Sequence, residues 1–214
     1  MDNDTLINVL GHQNAVLSSV EEFIQDLVDN NKKVEQVKIS KQEVVACIEK
    51  GPRWLPKNNA FSALFASGEC AAFSEGMSSL LGSAGFGSDL IVGFDAEGLA
   101  VHYYNAFEHE GQRYFIDAYG IFNDESLIKN RYTRPIVRTA LITYEDGDEE
   151  QDALVEDYNN ATINLLDQMD DPRLVKLPED GCDYVCVRTG ELLHYTDVYE
   201  AYLSKCAKHL FDTL

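Results

Sequence analysis

The chain has 214 residues and a formal net charge of −20, with 37 acidic residues against 17 lysines and arginines. Its length suits one domain of ordinary size, and an apolar content of 45% is normal for a folded protein. The acidity argues against direct binding of nucleic acid, because contacts to phosphate need Lys and Arg. We therefore expect a single domain with a helical extension at 1–55, a core at 56–144 and an acidic α/β part at 145–214.

No apolar run approaches the roughly 20 residues of a membrane-spanning helix, and the N-terminus lacks the pattern of a secretory signal. The cysteines are scattered along the chain: Cys47, Cys70, Cys182, Cys186 and Cys206. They are too few for a disulfide scaffold, so buried thiols are the simplest interpretation. These features predict a cytoplasmic protein that does not bind membranes and needs no cofactor or metal.

The first part of the chain is predicted to be helical. Apolar residues recur at helical spacing over 6–28. Ser40 and Glu43 form a capping box, which predicts a helix over 43–50 that stops at Gly51. Next, a turn is expected around Trp54, because prolines flank it on both sides.

The middle of the chain mixes helix and strand signals. A short helix is expected over 58–66, and Cys70 opens a longer one over 71–81 that ends in a glycine cluster. The later predicted elements are strands at 88–94, 99–107, 112–118 and 139–144, and a short helix through 128 that Asn123 caps.

The last part of the chain begins with a strongly acidic segment, 145–157, which holds eight acidic residues and no basic one. Its spacing approaches that of a calcium loop, but Gln151 stands where glycine is needed and Asp157 where glutamate is needed. We expect an exposed loop that leads into a helix at 154–169, then a strand at 182–188 and a helix at 196–211. Together the elements predict an α+β fold with helices packed on a central antiparallel sheet.

Cys70 is the candidate nucleophile of the chain. A thiol in the first turn of a helix lies at the positive end of the helix dipole, which stabilises a thiolate. Gly68 would let a substrate approach closely, and the side chain of Glu69 is expected to point away. The alternative is that Cys70 is a small apolar residue on a buried helix face.

A predicted hairpin brings His102 and Asp117 together. If Glu110-Gly111 is a two-residue turn, Tyr104 pairs with Asp117, and His102 is its diagonal neighbour on the same face. The Cα atoms of such neighbours lie about 7–8 Å apart, so Nδ1 of His102 would reach the carboxylate. A three-residue turn would instead place the two side chains on opposite faces of the sheet.

Four short motifs within 67–120 resemble the core of transglutaminase-like and papain-like cysteine enzymes. They are Gly68-Glu69-Cys70, Ser83-Ala84-Gly85-Phe86, His102-Tyr103-Tyr104-Asn105 and the run from Gly111 to Ala118. The resemblance implies a papain-like core in which Cys70 is the nucleophile, His102 the general base and Asp117 the orienting carboxylate. It further implies that an amide of a protein or peptide reacts through a thioester, which water (hydrolysis or deamidation) or an amine (cross-linking) then resolves.

The chain departs from this pattern at the oxyanion site. Papain-like enzymes carry a Gln shortly before the nucleophile, and none occurs here between Gln42 and Cys70. The backbone N–H of Cys70 could supply one donor, and losing the second costs about 2.7–4 kcal/mol of transition-state stabilisation. Candidates for the second donor or for substrate contacts are Asn58, Asn59, Trp54, Gly68 and Tyr104. Trp54 could equally pack in the core.

Arylamine N-acetyltransferases are a more distant resemblance. They use a similar Cys, His, Asp order, but their Arg before the Gly-Gly-x-Cys motif is replaced here by Ala66 or Ser67.

Three functional hypotheses follow. The first is a cysteine-dependent hydrolase or acyltransferase that acts on a protein or peptide amide. The second is a non-catalytic protein whose acidic surface mimics nucleic acid and occludes a basic protein partner. The third is a papain-like scaffold that has lost catalysis. A basic cluster, expected to lie at the surface or to pair with the acidic segment, comprises Lys129, Arg131, Arg134 and Arg138.

Overall fold

The computed structural model describes residues 37–55, 62, 65, 66, 69–131, 134–144, 148–166, 174–176, 183–186 and 192–214. The helical pattern at 6–28 lies outside this part of the chain. The short helix expected over 58–66 lies partly outside it, although positions 62, 65 and 66 are helical.

The described residues form helices and strands in alternation. The helices are α1 (Lys41–Glu49), α2 (Cys70–Ser83), α3 (Ser126–Lys129), α4 (Glu149–Leu166) and α5 (Tyr195–Thr213). The strands are β1 (Arg53–Trp54), β2 (Ser88–Phe94), β3 (Ala100–His109), β4 (Gln112–Asp117), β5 (Gly120–Phe122), β6 (Arg138–Ile142), β7 (Leu174–Lys176), β8 (Asp183–Cys186) and β9 (Leu192–His194). No helix in the described ranges is long and apolar enough to cross a membrane.

A six-stranded antiparallel sheet is the centre of the fold, with the strand order β1-β5-β4-β3-β2-β6. A smaller antiparallel sheet has the order β7-β8-β9. Helix α2 packs on β2 and β3 and contacts α5 along its length. The protein is therefore α+β with helices packed on an antiparallel sheet, as the sequence predicts.

Local sequence signals fix the start of α1. Ser40 Oγ accepts a hydrogen bond from the Glu43 N–H at 3.2 Å, and the Glu43 carboxylate accepts one from the Ser40 N–H at 2.8 Å. This reciprocal pair satisfies two donors that the helix itself leaves open. The predicted capping box is confirmed, and Gly51 follows the helix with a φ of +85° that suits glycine.

The β3–β4 hairpin has the predicted two-residue turn. His109 pairs with Gln112, while Glu110 and Gly111 have φ values of +51° and +75°. Positive φ at both central residues is the geometry of a type I′ turn, whose twist matches that of the flanking strands. The register therefore places His102 and Asp117 on one face of the sheet.

A β-bulge lies directly before His102. Gly93 pairs with His102 but Phe94 pairs with Ala100, so Val101 is an extra residue on β3. Bulges bend a strand and change where the neighbouring side chains point. Gly93 is also required for packing, because a Cβ atom there would lie 2.7 Å from the Ile136 side chain.

Several sequence predictions need correction. The turn expected around Trp54 is wrong, because Arg53 and Trp54 form strand β1 and pair with β5. Asn123 does not cap α3; instead, Asp124 Oδ1 accepts the Ser126 N–H at 2.9 Å. Helix α4 begins at residue 149, five residues before the predicted start at 154, so its first turn belongs to the acidic segment.

Close packing between α2 and α5 generates a stability prediction. A Cβ atom at Gly76 would lie 2.5 Å from the Leu203 carbonyl oxygen, and backbone atoms cannot move aside cheaply. We expect Gly76→Ala to lower the free energy of unfolding by roughly 1–3 kcal/mol in urea denaturation. Gly82→Ala is the matched control, because it meets no atom within 4 Å and should stabilise α2 by roughly 0.5–1 kcal/mol. Equal effects of the two substitutions would contradict the packing argument.

Candidate active site

Cys70 is the first residue of α2, as the sequence predicts, and its thiol is half-buried. Cys47 and Cys206 are free thiols as well, but both are buried. Burial raises the pKa of Cys47, and it raises the pKa of Cys206 to about 12, which leaves both thiols protonated and unreactive at neutral pH. Among these three described cysteines, Cys70 combines partial exposure with a position at a helix N-terminus.

His102 and Asp117 form a buried hydrogen-bonded pair. Nε2 of His102 lies 3.3 Å from Oδ2 of Asp117, and each side chain is only 1% exposed. The predicted diagonal contact is confirmed, but the predicted use of Nδ1 is wrong. Nε2 lies farther from the backbone than Nδ1, so it is the nitrogen that spans the gap between diagonal neighbours.

The imidazole of His102 also interacts with the Cys70 thiol. Burial of the ring disfavours its charged form, but the hydrogen bond to Asp117 and the interaction with Cys70 outweigh it and raise the pKa of His102 to about 9. Because Nε2 faces Asp117, Nδ1 is the nitrogen that would exchange a proton with the thiol. The structure thus brings together the sulfur, imidazole and carboxylate that the sequence singled out.

The carboxylate of Asp117 is fixed by the backbone that follows it. Oδ1 accepts the Tyr119 N–H at 2.7 Å, which orients Oδ2 toward His102. This local turn uses the preference of Asp for hydrogen bonds to the backbone two residues further on. Asp117 therefore holds the imidazole in one orientation, which is the third role in a triad.

Tyr104 packs against the imidazole ring of His102. Its ring stacks on the His102 ring with centroids 5.8 Å apart, and its hydroxyl donates to Glu125 Oε1 at 2.8 Å. The side chain is fully buried, so its hydroxyl is committed to Glu125 rather than directed at a substrate. Its contribution is to restrict the movement of the His102 ring.

Two further tyrosines lie close to Cys70. Tyr158 of α4 donates from its hydroxyl to the Ala71 carbonyl at 3.3 Å, and its ring lies 5.4 Å from that of Tyr103. Burial raises the pKa of Tyr103 to about 12, and the nearby Cys70 adds to this shift. Sequence reasoning missed Tyr158, although the helical spacing of Leu154, Val155 and Tyr158 marks the inner face of α4.

The structure does not place the remaining oxyanion and substrate-contact candidates at the site. Asn58, Asn59 and Gly68 lie outside the described residues, while the backbone of Trp54 pairs with Gly120 in the sheet. Glu69 precedes α2 without capping it by a side-chain hydrogen bond.

The basic cluster lies at or near the surface, where several of its members pair with acidic side chains of the same chain. Arg138 lies 3.9 Å from Glu150 of the acidic segment, and Arg134 lies 3.4 Å from Asp95. Arg131 stacks on Tyr119 at 3.9 Å. In the part of the chain that the structure describes, no group of His, Cys, Asp or Glu is arranged to hold a metal ion.

The raised pKa of His102 predicts a pH-dependent stability. The folded state binds this proton more tightly than the unfolded chain, whose histidine titrates near 6.5. The contribution is therefore complete below pH 6.5 and lost as the pH rises toward about 9. We expect the free energy of unfolding, measured in urea across this range, to fall with pH in the wild type and to fall less in Asp117→Asn.

Asp89→Asn is the control for this measurement. It removes the same charge from an exposed pair with Arg113, which does not touch His102. Identical pH profiles for the two variants would show that the Asp117 contact does not stabilise the protonated ring.

Comparison with known proteins adds no assignment to this geometry. No protein-family model matches the chain, and no curated protein or solved structure matches it. A functional proposal must therefore rest on the geometry of the site.

Proposed function

We propose that this protein is a cysteine-dependent enzyme with a papain-like core, which transfers the acyl group of a protein or peptide amide through a thioester on Cys70. One observation carries the proposal. A half-buried thiol at a helix N-terminus interacts with an imidazole that is hydrogen-bonded to a buried carboxylate. Nucleophile, base and orienting group are the three parts that thiol catalysis needs.

The first half of the reaction forms the thioester. His102, whose pKa of about 9 keeps its imidazole protonated at neutral pH, already holds the proton, and the Cys70 sulfur attacks the amide carbonyl carbon. The backbone N–H of Cys70 lies in the first turn of α2, where helix donors lack an intrahelical partner, so it can stabilise the oxyanion. His102 then gives its proton to the leaving nitrogen as the C–N bond breaks.

The second half releases the acyl group. His102 takes a proton from the acceptor, which is water in hydrolysis and an amine in transfer. The acceptor attacks the thioester carbon and the C–S bond breaks, which restores the Cys70 sulfur beside the protonated imidazole. Asp117 orients the ring and stabilises the imidazolium in each half.

The proposal predicts acylation at one cysteine. p-Nitrophenyl acetate, a general acyl donor, should acetylate Cys70 in the full chain, as measured by p-nitrophenol release and by mass spectrometry of peptides. Cys70→Ala should abolish this modification, and His102→Ala should slow it by about 10²–10⁴-fold, the usual contribution of a general base. Cys206→Ala is the control, because that buried thiol should not react.

Two results would overturn the proposal: acetylation spread over several cysteines, or a rate at Cys70 that His102→Ala leaves unchanged. A lost catalytic function would then be favoured. The acidic-mimic hypothesis is favoured instead if the protein binds a basic protein in a salt-sensitive manner and Cys70→Ala leaves that binding intact.

A further inference from the structure

A cavity of about 330 Å³ lies between α2, α4 and the adjoining ends of β2 and β6. Its polar wall includes Glu75 and Ser78 of α2 and Ser88 of β2, and its apolar side includes Leu141 of β6. Tyr158 of α4 also lines it. The volume is at the lower end of the range for small-molecule sites, so it suits one side chain or a small ligand.

The cavity adjoins the candidate active site. Cys70 packs against an apolar cluster whose members Leu90, Ile142 and Tyr158 also line the cavity. Glu75 lies about 7.5 Å from Cys70 along the helix axis but about 140° around it, so this cluster, and not α2 alone, joins the two. Tyr158 lines the cavity and also donates to the carbonyl of Ala71, the residue next to the candidate nucleophile. A substrate held at Cys70 could therefore place a neighbouring side chain in the cavity.

Glu75 places an acidic side chain in the cavity wall, where a bound cation would stabilise its ionised form. Burial raises the pKa of its carboxyl group, and Glu200 of α5 adds to the shift. Within the described ranges, no Lys, Arg or His forms an ion pair with Glu75. A half-buried carboxylate without a cationic partner destabilises the folded protein, and a ligand cation would compensate it.

A buried amide group lies behind the polar wall of the cavity. Asn105 is fully buried, and its Nδ2 donates to Ser78 Oγ at 2.7 Å and to Ser88 Oγ at 3.4 Å. Its amide group is thus directed at two hydroxyl groups of the cavity wall. Its Oδ1 has no hydrogen-bond donor among the described residues, and a buried acceptor in that state is costly.

The negative region continues on the other side of Glu75. A second cavity of about 220 Å³ shares Glu75 and Ser78 with the first and is also lined by Glu200. Two carboxylates therefore border the space along this part of α2. The arrangement favours a cationic group over a neutral or anionic one.

We propose that the cavity at Glu75 binds the basic side chain, Lys or Arg, of the peptide whose amide reacts at Cys70. The proposal rests on the proposed function and adds the substrate class to it. The net charge of −20 acts in the same direction, because an acidic surface attracts basic peptides at long range.

Matched esters test this specificity. The Nα-acetyl p-nitrophenyl esters of arginine and citrulline have nearly the same shape and differ in charge. We expect kcat/KM for the arginine ester to exceed that for the citrulline ester by roughly tenfold or more, and Glu75→Gln to abolish most of this ratio. The lysine ester and its Nε-acetyl form should behave in the same way.

Glu108→Gln is the control variant. It removes the same charge from an exposed position on β3, outside the cavity, and should preserve the ratio. Thermal unfolding provides a readout besides activity. Glu75→Gln should raise the Tm of the free protein, because it removes a carboxylate that no cation compensates. If Glu75 instead only stabilises the fold, the same substitution should lower the Tm.

The outcomes separate this inference from the proposed function. If p-nitrophenyl acetate acetylates Cys70 but the arginine-to-citrulline ratio is unaffected by Glu75→Gln, the inference is overturned and the proposed function stands. If Cys70 is not acetylated, the cation site is tested by calorimetry, which measures the binding of Nα-acetyl-arginine amide to the Cys70→Ala protein. Loss of that binding in the added Glu75→Gln variant supports the cation site, and absence of binding to Cys70→Ala itself overturns it.

Discussion

The hydrogen bond between His102 and Asp117 is the contact on which the candidate site depends. It exists only because the β3–β4 register places both side chains on one face, and the turn at Glu110-Gly111 sets that register. A shift of one residue would move one of them to the other face. The Tyr119 N–H then fixes the carboxylate, and burial of both groups strengthens their interaction by excluding water.

The position of Cys70 depends on the packing of α2. Gly76 allows this helix to approach the backbone of α5 closely, and the hydroxyl of Tyr158 joins its first turn to α4. The thiol is thereby held close to the imidazole of His102. A site assembled from three elements in this way keeps its geometry only while their packing is intact.

The same helix connects the chemistry to the proposed specificity. Cys70 begins α2, and Glu75 lies further along it, beside a cavity that Tyr158 also lines. Burial of a carboxylate costs stability when no cation pairs with it, and none pairs with Glu75 in the described part of the chain, so the proposed cation site would give this residue a role. The acidity of the whole chain, which does not by itself distinguish between the hypotheses, acquires a role if the substrate is basic.

The sequence by itself determined the features that depend on neighbouring residues: the capping box at Ser40, the helix that Cys70 opens, and the turn whose register joins His102 to Asp117. It also predicted the mixed fold with an antiparallel sheet. Only the tertiary structure decided that Arg53 and Trp54 pair with β5, that Nε2 faces Asp117, and that Tyr158 reaches α2. These contacts join residues far apart in the chain or depend on side-chain orientation, and local propensities specify neither, because both are set by how the elements pack.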